Sequence, residues 1–143
     1  MRRLCRTGFT LIEMTVVLTV AAALFSIALP RASGLIDSIE VRGAVTEIAS
    51  MLSLARHVAI ARGGQVILDI DAPRGVITIR DRSGVIRTRE VGTAHGVAMS
   101  TNRTSITYSA IGVGYGAANF TLVVSRNRTA DSVVVSRLGR VRH

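Results

Sequence analysis

The chain has 143 residues, which is enough for one domain and a membrane anchor. Its 18 basic residues, all arginine, outnumber the nine acidic ones, so the formal net charge is +9. A basic surface attracts nucleic acid or anionic lipid, but it is more often simply solvated. Cys5 is the single cysteine, which excludes a disulfide framework within the chain, and an aromatic content of 3% predicts an aliphatic core.

The first 29 residues consist of a basic leader and an apolar stretch. Three arginines lie among residues 1–7, and residues 15–29 contain no charge. The segment 9–29 is 21 residues long. As a helix it would reach roughly 30 Å, the thickness of the hydrocarbon core of a bilayer. A cleaved signal peptide would have a shorter apolar core and a small-residue cleavage site after it. The pattern therefore predicts a retained transmembrane helix.

The leader predicts the orientation of this helix. Arginines beside a membrane-spanning helix tend to remain on the cytoplasmic side. Arg2, Arg3 and Arg6 therefore favour a single-pass protein whose N-terminus is cytoplasmic. The remainder of the chain would lie on the far side of the membrane.

Glu13 is the anomalous residue of the apolar segment. An ionised carboxylate in hydrocarbon is costly without a cation beside it, so an acid at this depth usually marks function. The surrounding segment RTGFTLIEM, followed by an apolar helix and Pro30, resembles the N-terminus of type IV prepilins and type II secretion pseudopilins. The shared features are the basic leader, the Gly-Phe junction and the acid at the fifth position after it.

This resemblance implies a processing step and an assembly contact. A prepilin peptidase would cleave between Gly8 and Phe9, and the new amine of Phe9 would be N-methylated. Glu13 would pair with that amine on a neighbouring subunit during filament assembly, because a carboxylate in lipid requires a cation. The membrane would then be the bacterial inner membrane, and the domain beyond it would be periplasmic.

An amphipathic pattern follows the apolar segment. Six apolar residues recur at spacings of four and three, which places them on one face of a helix: Val41, Val45, Ile48, Leu52, Ala55 and Ala59. Gly63 and Gly64 would end this helix, with Arg62 in the last turn where a cation suits the helix dipole. We expect one helix from the anchor to Arg62, bent near Pro30 because proline lacks an amide hydrogen.

The remainder of the chain predicts β-structure. Alternating apolar and polar residues between turn sequences indicate six strands: 65–70, 76–80, 85–91, 104–109, 119–124 and 132–136. The glycine-rich stretch from Gly112 to Gly116 is predicted to be a loop. The expected fold is α+β and pilin-like, with the long helix packed on an antiparallel sheet or a small β-sandwich. The expected divisions are a leader at 1–8, a transmembrane helix at 9–29 and a periplasmic domain at 30–143.

Two segments resemble a narrower group, the GspH/FimT subfamily. The segment SLARHVAIARGGQVILDI, residues 53–70, is similar to the helix end that runs into the first strand in its members. The tail SVVVSRLGRVRH, residues 132–143, is similar to their valine-rich strand followed by Gly-Arg. The resemblance implies a structural subunit of a type II secretion pseudopilus or a type IV pilus. Its partners would be the prepilin peptidase, other pilin or pseudopilin subunits and the inner membrane.

No pattern in the sequence indicates catalysis, a cofactor or a metal centre. His57, His95 and His143 lie far apart in the sequence, and a core or surface position is expected for His57. Asp69 and Asp71 alternate along a strand and could contribute to a calcium site. A role for Asp71 in capping the following turn is favoured.

An arginine-rich C-terminal region suggests an alternative function, DNA binding. The segment from Gly139 to Arg142 resembles the Gly-Arg-x-Arg motif of FimT-like minor pilins, which is associated with DNA binding in natural transformation. Arginines neutralise phosphates without reading bases. The candidate residues are Arg126, Arg128, Arg137, Arg140 and Arg142. If the last two predicted strands pair, the turn and tail arginines could meet at one end of the sheet. A solvated terminus and a contact with an acidic subunit are the other interpretations.

Overall fold

The structure is a computed structural model that describes residues 9–115, 120–136 and 141–142. The leader with Gly8 lies outside the described residues, as do Arg137, Arg140 and His143 of the tail. The chain divides into two units, one up to Leu35 and one from Ile36 onward. Each unit is described by itself.

A single helix, α1, runs from Leu11 to Arg62 and confirms the predicted continuous helix. Its backbone remains helical through position 30, where proline removes one backbone donor. A bend at this position stays a prediction. Thr10 caps the start of the helix, because its hydroxyl accepts a hydrogen bond from the amide of Glu13 at 3.2 Å.

In the first unit, the apolar side chains of α1 are exposed. Leu18 and Phe25, for example, are 68% and 62% exposed. The hydroxyls of Thr15, Thr19 and Ser26 donate hydrogen bonds to helix carbonyls at 2.7–2.8 Å. These polar groups therefore need no outside partner, as a helix in hydrocarbon requires. By length and composition, this part of α1 is able to cross a membrane.

In the second unit, α1 buries the predicted stripe. All six predicted positions, from Val41 to Ala59, are at most 1% exposed and belong to one hydrophobic cluster with residues of both sheets. The helix ends as predicted at Gly63, whose φ of 58° is left-handed. The amides of Gly63 and Gly64 bond to the carbonyls of Ile60 and Ala59 at 3.2 and 3.1 Å. This pair of hydrogen bonds commonly closes helices.

Nine strands and one short helix follow in the described part of the chain. The strands are β1 Val66–Asp71, β2 Val76–Asp81, β3 Gly84–Arg89, β4 Ala98–Thr101, β5 Ser105–Tyr108, β6 Gly114–Tyr115, β7 Phe120–Arg126, β8 Thr129–Val135 and β9 Val141–Arg142. Helix α2, Val91–His95, lies between β3 and β4. One antiparallel sheet has the order β3-β2-β1-β5-β6 and the other β4-β7-β8-β9. The predicted α+β fold is confirmed.

The six predicted strands are all present, but several details differ. The strand predicted over 85–91 ends at Arg89, and Val91 instead begins α2. The prediction of a loop at Gly112–Gly116 is wrong for Gly114, which pairs with Tyr108 in the first sheet. The sequence pattern did not reveal β4, because the segment AMST lacks alternating large apolar residues.

The chain turns away from the sheet after β3 at a close contact between two glycines. Gly75, in the turn between β1 and β2, has a φ of 69°. Its carbonyl accepts a hydrogen bond from the amide of Gly92 at 2.9 Å. A Cβ atom at Gly75 would lie 2.6 Å from Gly92 Cα, which leaves no room for a side chain. This contact positions α2 so that Val91 is fully buried in the core.

Candidate functional site

The predicted assembly residues lie at the start of α1. Phe9 is 73% exposed, and Glu13 lies in the first helical turn with an exposed side chain. Within the described residues, the Glu13 carboxylate forms no ion pair. A carboxylate in a first turn is favoured by the helix dipole. It is therefore presented to any cation that approaches from outside the chain.

Among the described arginines of the predicted DNA-binding site, Arg142 is not brought together with Arg126 and Arg128. The condition that the last two predicted strands pair is met, because β7 pairs with β8, with Arg126 opposite Thr129. β9 returns along β8, so that Arg142 lies opposite Val134. Thr129 and Val134 are five residues apart, which is roughly 17 Å along a strand. The expectation that turn and tail arginines meet is wrong for Arg142. The β7–β8 turn lies at one end of β8, whereas Arg142 pairs near the other end of that strand.

Arg126 is occupied by contacts within the protein. Its Nε lies 3.0 Å from Oδ1 of Asp37, and its Nη1 donates a hydrogen bond to the carbonyl oxygen of His95 at 2.6 Å. Asn127 donates a hydrogen bond to the other carboxylate oxygen of Asp37 at 2.9 Å. Asp37 is only 9% exposed, and a carboxylate this buried needs such partners. Arg126 therefore links the end of β7, next to the β7–β8 turn, to α1 through its ion pair with Asp37.

His95 lies between two glutamates of α1, an arrangement that sequence reasoning missed. Its Nδ1 is 3.0 Å from Oε2 of Glu40, and its Nε2 is 3.1 Å from Oε2 of Glu47. Gly43 provides the space for the ring, because a Cβ there would lie 3.0 Å from His95 Cε1. Both ring nitrogens therefore face carboxylate oxygens of α1.

We refer to Asp37, Glu40, Glu47, His95 and Arg126 as the His95 cluster. The cluster joins α1 to α2 and to the β7–β8 turn through polar contacts between residues far apart in the sequence. The one sequence feature that indicates the cluster is the spacing of Glu40, Gly43 and Glu47. This spacing places two acidic side chains on one face of the helix, with a glycine between them that leaves room for another group. The cluster holds these elements in place.

Asp69 and Asp71 have separate partners. Asp71 accepts a hydrogen bond from the amide of Arg74 at 3.2 Å, which confirms its favoured role in capping the turn. Asp69 forms an ion pair with Arg80 on the neighbouring strand. In the part of the chain that the structure describes, no three side chains of the metal-binding types converge.

A groove of about 600 Å³ lies at the C-terminal end of α1, beside the β2–β3 turn and Tyr115. At its edge, Arg62 forms an ion pair with Asp81. Hydrogen bonds from Ser83, assisted by Arg62, lower the pKa of Asp81 to about 2. Asp81 offsets the charge of Arg62. Among the described residues that line the groove, Arg82 is then the one arginine without an ion pair. We assign no ligand to the groove.

Several exposed arginines form no ion pair with any described residue. They include Arg82, Arg87, Arg103, Arg128 and Arg142. They are distributed over different strands and turns rather than along one stripe. The described domain therefore does not present a single concentrated arginine face.

Comparison with a family model identifies most of the folded domain. Residues 44–139 match the family described as type II transport protein GspH. The match begins within the part of α1 that belongs to the second unit, and it extends over β1 to β8 but ends before β9. No protein of curated function matches the sequence.

Solved structures share the fold at low sequence identity. The type IV minor pilin FimU of Pseudomonas aeruginosa (strain PAO1) has a TM-score of 0.63 at 18% identity, covering 76% of this chain and 90% of FimU. A second crystal form of FimU has a TM-score of 0.59 at 18% identity, covering 71% and 90%. The minor pseudopilin EpsH from the type 2 secretion system of Vibrio cholerae has a TM-score of 0.57 at 15% identity, covering 72% and 94%. At these identities the likeness shows the fold alone.

Proposed function

The chain belongs to the GspH family, and we propose that it is a minor pilin or pseudopilin, a structural subunit of a type II secretion pseudopilus or a type IV pilus. FimU and EpsH, which carry the names minor pilin and minor pseudopilin, share its fold. This role is structural and not enzymatic. The observation that carries the proposal is Glu13, an exposed carboxylate in the first turn of an apolar helix.

The proposal includes processing of the N-terminus. A prepilin peptidase removes residues 1–8 by cleaving between Gly8 and Phe9, and the new amine is N-methylated. Phe9 is exposed and lies before Leu11, the first residue of α1, so α1 does not have to open before cleavage. The leader arginines stay cytoplasmic, α1 spans the inner membrane once and the domain from Ile36 onward is periplasmic.

Glu13 then supplies the charge that the new amine requires. A carboxylate and an ammonium group are each costly to place in hydrocarbon, and pairing them offsets much of that cost. Because the described residues provide no ion-pair partner for Glu13, the Phe9 amine of a neighbouring subunit can serve. This contact makes assembly depend on processing.

Two substitutions test processing and assembly separately. Gly8→Ala should block leader removal, which intact-mass measurement detects as an unprocessed chain. Glu13→Ala should be cleaved normally but enter filaments poorly, because removing one partner of a buried ion pair costs about 3 kcal/mol. Filament entry is measured by shearing cells and immunoblotting the sheared fraction. Glu90→Ala changes an exposed acid before α2 and is the matched control.

The outcomes separate the two steps. Normal incorporation of Glu13→Ala would overturn the pairing role. Cleavage of Gly8→Ala at the wild-type site would overturn the processing step. Poor entry of the Glu90→Ala control would show that loss of any exposed acid has the same effect, which would also count against Glu13.

DNA binding is the second candidate function. The observation that favours it is that Arg128 and Arg142 are exposed and form no ion pair with described residues. Arg126, by contrast, is occupied by Asp37 and the carbonyl of His95. The proposed contact region is therefore the tail, with Arg137, Arg140 and Arg142. Arg128 lies in the turn at the other end of β8 and is a separate candidate contact.

A gel-shift titration of the full chain in detergent micelles at several salt concentrations tests this candidate. Replacing Arg140 and Arg142 together by alanine should reduce the slope of log affinity against log salt by about 2, since each phosphate contact contributes close to one. The matched control replaces Arg74 and Arg103, two exposed arginines of other turns. Binding that survives the tail substitutions, or that does not depend on salt, would overturn this candidate and leave the filament proposal intact.

A further inference from the structure

The free edge of β3 is open to another chain. β3 is the outermost strand of its sheet and pairs with β2 alone. Within the described residues, no backbone hydrogen bond is made from its other edge. Five of its six residues are exposed. An edge strand of this kind offers unpaired amide and carbonyl groups to an added strand.

Two arginines of β3 project toward α1. Arg87 lies opposite Ile79 and Arg89 opposite Ile77 in the β2–β3 register. Paired residues of an antiparallel sheet share a face, and both isoleucines are fully buried. The arginines therefore extend from the inner face of the sheet at its edge. There they line a groove of about 200 Å³ together with Glu47, Ser50, Met51 and Leu54 of α1.

The groove carries an excess of positive charge. Arg89 Nε lies 3.6 Å from Oε1 of Glu47, but the other oxygen of Glu47 is already bonded to His95. Arg87 is exposed and forms no ion pair with any described residue. The groove therefore presents the guanidinium groups of Arg87 and Arg89 but a single carboxylate, that of Glu47, which also bonds to His95. An acidic side chain in this groove would find Arg87 available for a bidentate contact.

We propose that the free edge of β3 binds an extended acidic segment of another protein as an additional strand. Backbone hydrogen bonds provide the attachment, as in other cases of strand addition. Arg87 and Arg89 are two residues apart, so they are about 7 Å from each other along the strand. They match carboxylates at alternate positions of the incoming segment. Where the segment continues past Arg87, its outer-face residues cover Val85, an apolar side chain that is 66% exposed on the outer face.

The same arginines determine which strands are excluded. Like charges facing each other across a strand pair are destabilising. A basic strand is therefore rejected, and so is the β3 edge of a second copy of this chain, which would place its own arginines here. Charged side chains on an edge also discourage neutral strands from pairing. The edge is thus selective for an acidic partner, and this proposal uses neither Glu13 nor the arginine tail.

The test uses the full chain in detergent micelles and a labelled short peptide in which glutamate alternates with valine and threonine. Fluorescence anisotropy should show binding, which Arg87→Ser weakens about tenfold. Arg103→Ser, which removes an exposed arginine outside β3, is the matched control and should bind as the wild type does. Arg87→Glu should lose the glutamate peptide and bind its lysine counterpart instead. Equal binding of both peptides by the wild-type chain would overturn the proposal.

Backbone N-methylation of the peptide distinguishes an added strand from simple charge attraction. In a two-stranded pair, only alternate amides of the incoming strand point at β3. Methylating one alternate set should abolish binding, and methylating the other should leave it unchanged. If both sets have the same effect, strand addition is excluded. If a single-stranded oligonucleotide of equal charge binds with the same dependence on Arg87, the edge is a general polyanion site and the proposal fails.

Discussion

The side chains of helix α1 have different environments in the two units through which the helix runs. Up to Leu35, its large apolar side chains are exposed and its hydroxyls bond to its own carbonyls. From Ile36 onward, it buries one stripe almost completely and uses polar positions to hold His95 and Arg126. Helix formation is common to both units, but the burial that stabilises a helix has a different source in each.

This difference separates two kinds of substitution. In the second unit, the partners of α1 are the strands of the same chain, so a lost contact acts on folding. In the first unit, no described residue covers the apolar side chains, so a lost contact is expected to act on membrane insertion or on assembly. The helix is one structural element with two separate energetic roles.

The strongest test of this comparison replaces one leucine in each unit. Leu52 is 1% exposed and Leu18 is 68% exposed. Leu52→Ala should lower the free energy of unfolding by about 3 kcal/mol, because it leaves a cavity in the core. Leu18→Ala should leave it unchanged. Urea unfolding of the full chain in micelles, followed through the β-sheet signal, measures both. Equal destabilisation by the two variants would remove the distinction between the units.

A smaller effect is expected from the polar contacts of the second unit. Arg126→Met removes the ion-pair partner of Asp37 and should cost about 2 kcal/mol, since a carboxylate that is 9% exposed loses its charged partner while its bond to Asn127 remains. Arg128→Met alters an exposed arginine of the same turn and should change stability by less than about 0.5 kcal/mol. The same urea unfolding measures both variants. A loss of equal size in both would show that the Arg126 contact contributes nothing specific.

The smallest effect on stability is expected at Tyr108. Within the described part of the chain, its hydroxyl lacks the hydrogen bonds that the hydroxyls of the first unit make to helix carbonyls. Tyr108 is fully buried, and its hydroxyl has no hydrogen-bond partner among the described residues. Removing an unpaired buried hydroxyl recovers its desolvation cost, so Tyr108→Phe should raise the free energy of unfolding by about 1 kcal/mol at neutral pH. Tyr115→Phe, at a position that is 61% exposed, is the control.

The pH dependence sharpens this prediction. Burial raises the pKa of Tyr108 from its ordinary 10.0 to about 12, against a smaller opposing effect of Arg56. Between these values the unfolded chain releases the phenolic proton and the folded chain retains it, so stability falls as pH rises through this window. Tyr108→Phe should flatten that fall in unfolding experiments, whereas Tyr115→Phe should not. An unchanged slope in Tyr108→Phe would contradict the assignment.

Local periodicity explains what could be predicted from the sequence. The stripe from Val41 to Ala59 and the stop at Gly63 depend on residues within a few turns of each other, and both predictions are confirmed. The strands were found for the same reason, because alternation is visible in a short window. β4, β6 and β9 were missed because they are short, with four, two and two residues, so that alternation cannot be recognised in them.

The His95 cluster could not be predicted in this way. His95 is 55 and 48 residues from Glu40 and Glu47, so only the folded chain shows that they meet. The error about the tail has another origin. β7 does pair with β8, which was the condition for the arginines to meet. The turn of this hairpin and its free end lie at opposite ends of β8, however, which places Arg142 away from Arg126.

The contact between Gly75 and Gly92 constrains how this domain can be engineered. Two backbones meet where neither tolerates a β-carbon, so the β1–β2 turn and α2 have matched shapes. A chimera that takes one of these loops from a relative will clash or lose its fit unless the other loop is grafted with it. The two segments behave as one exchangeable module, although they are separate in the chain.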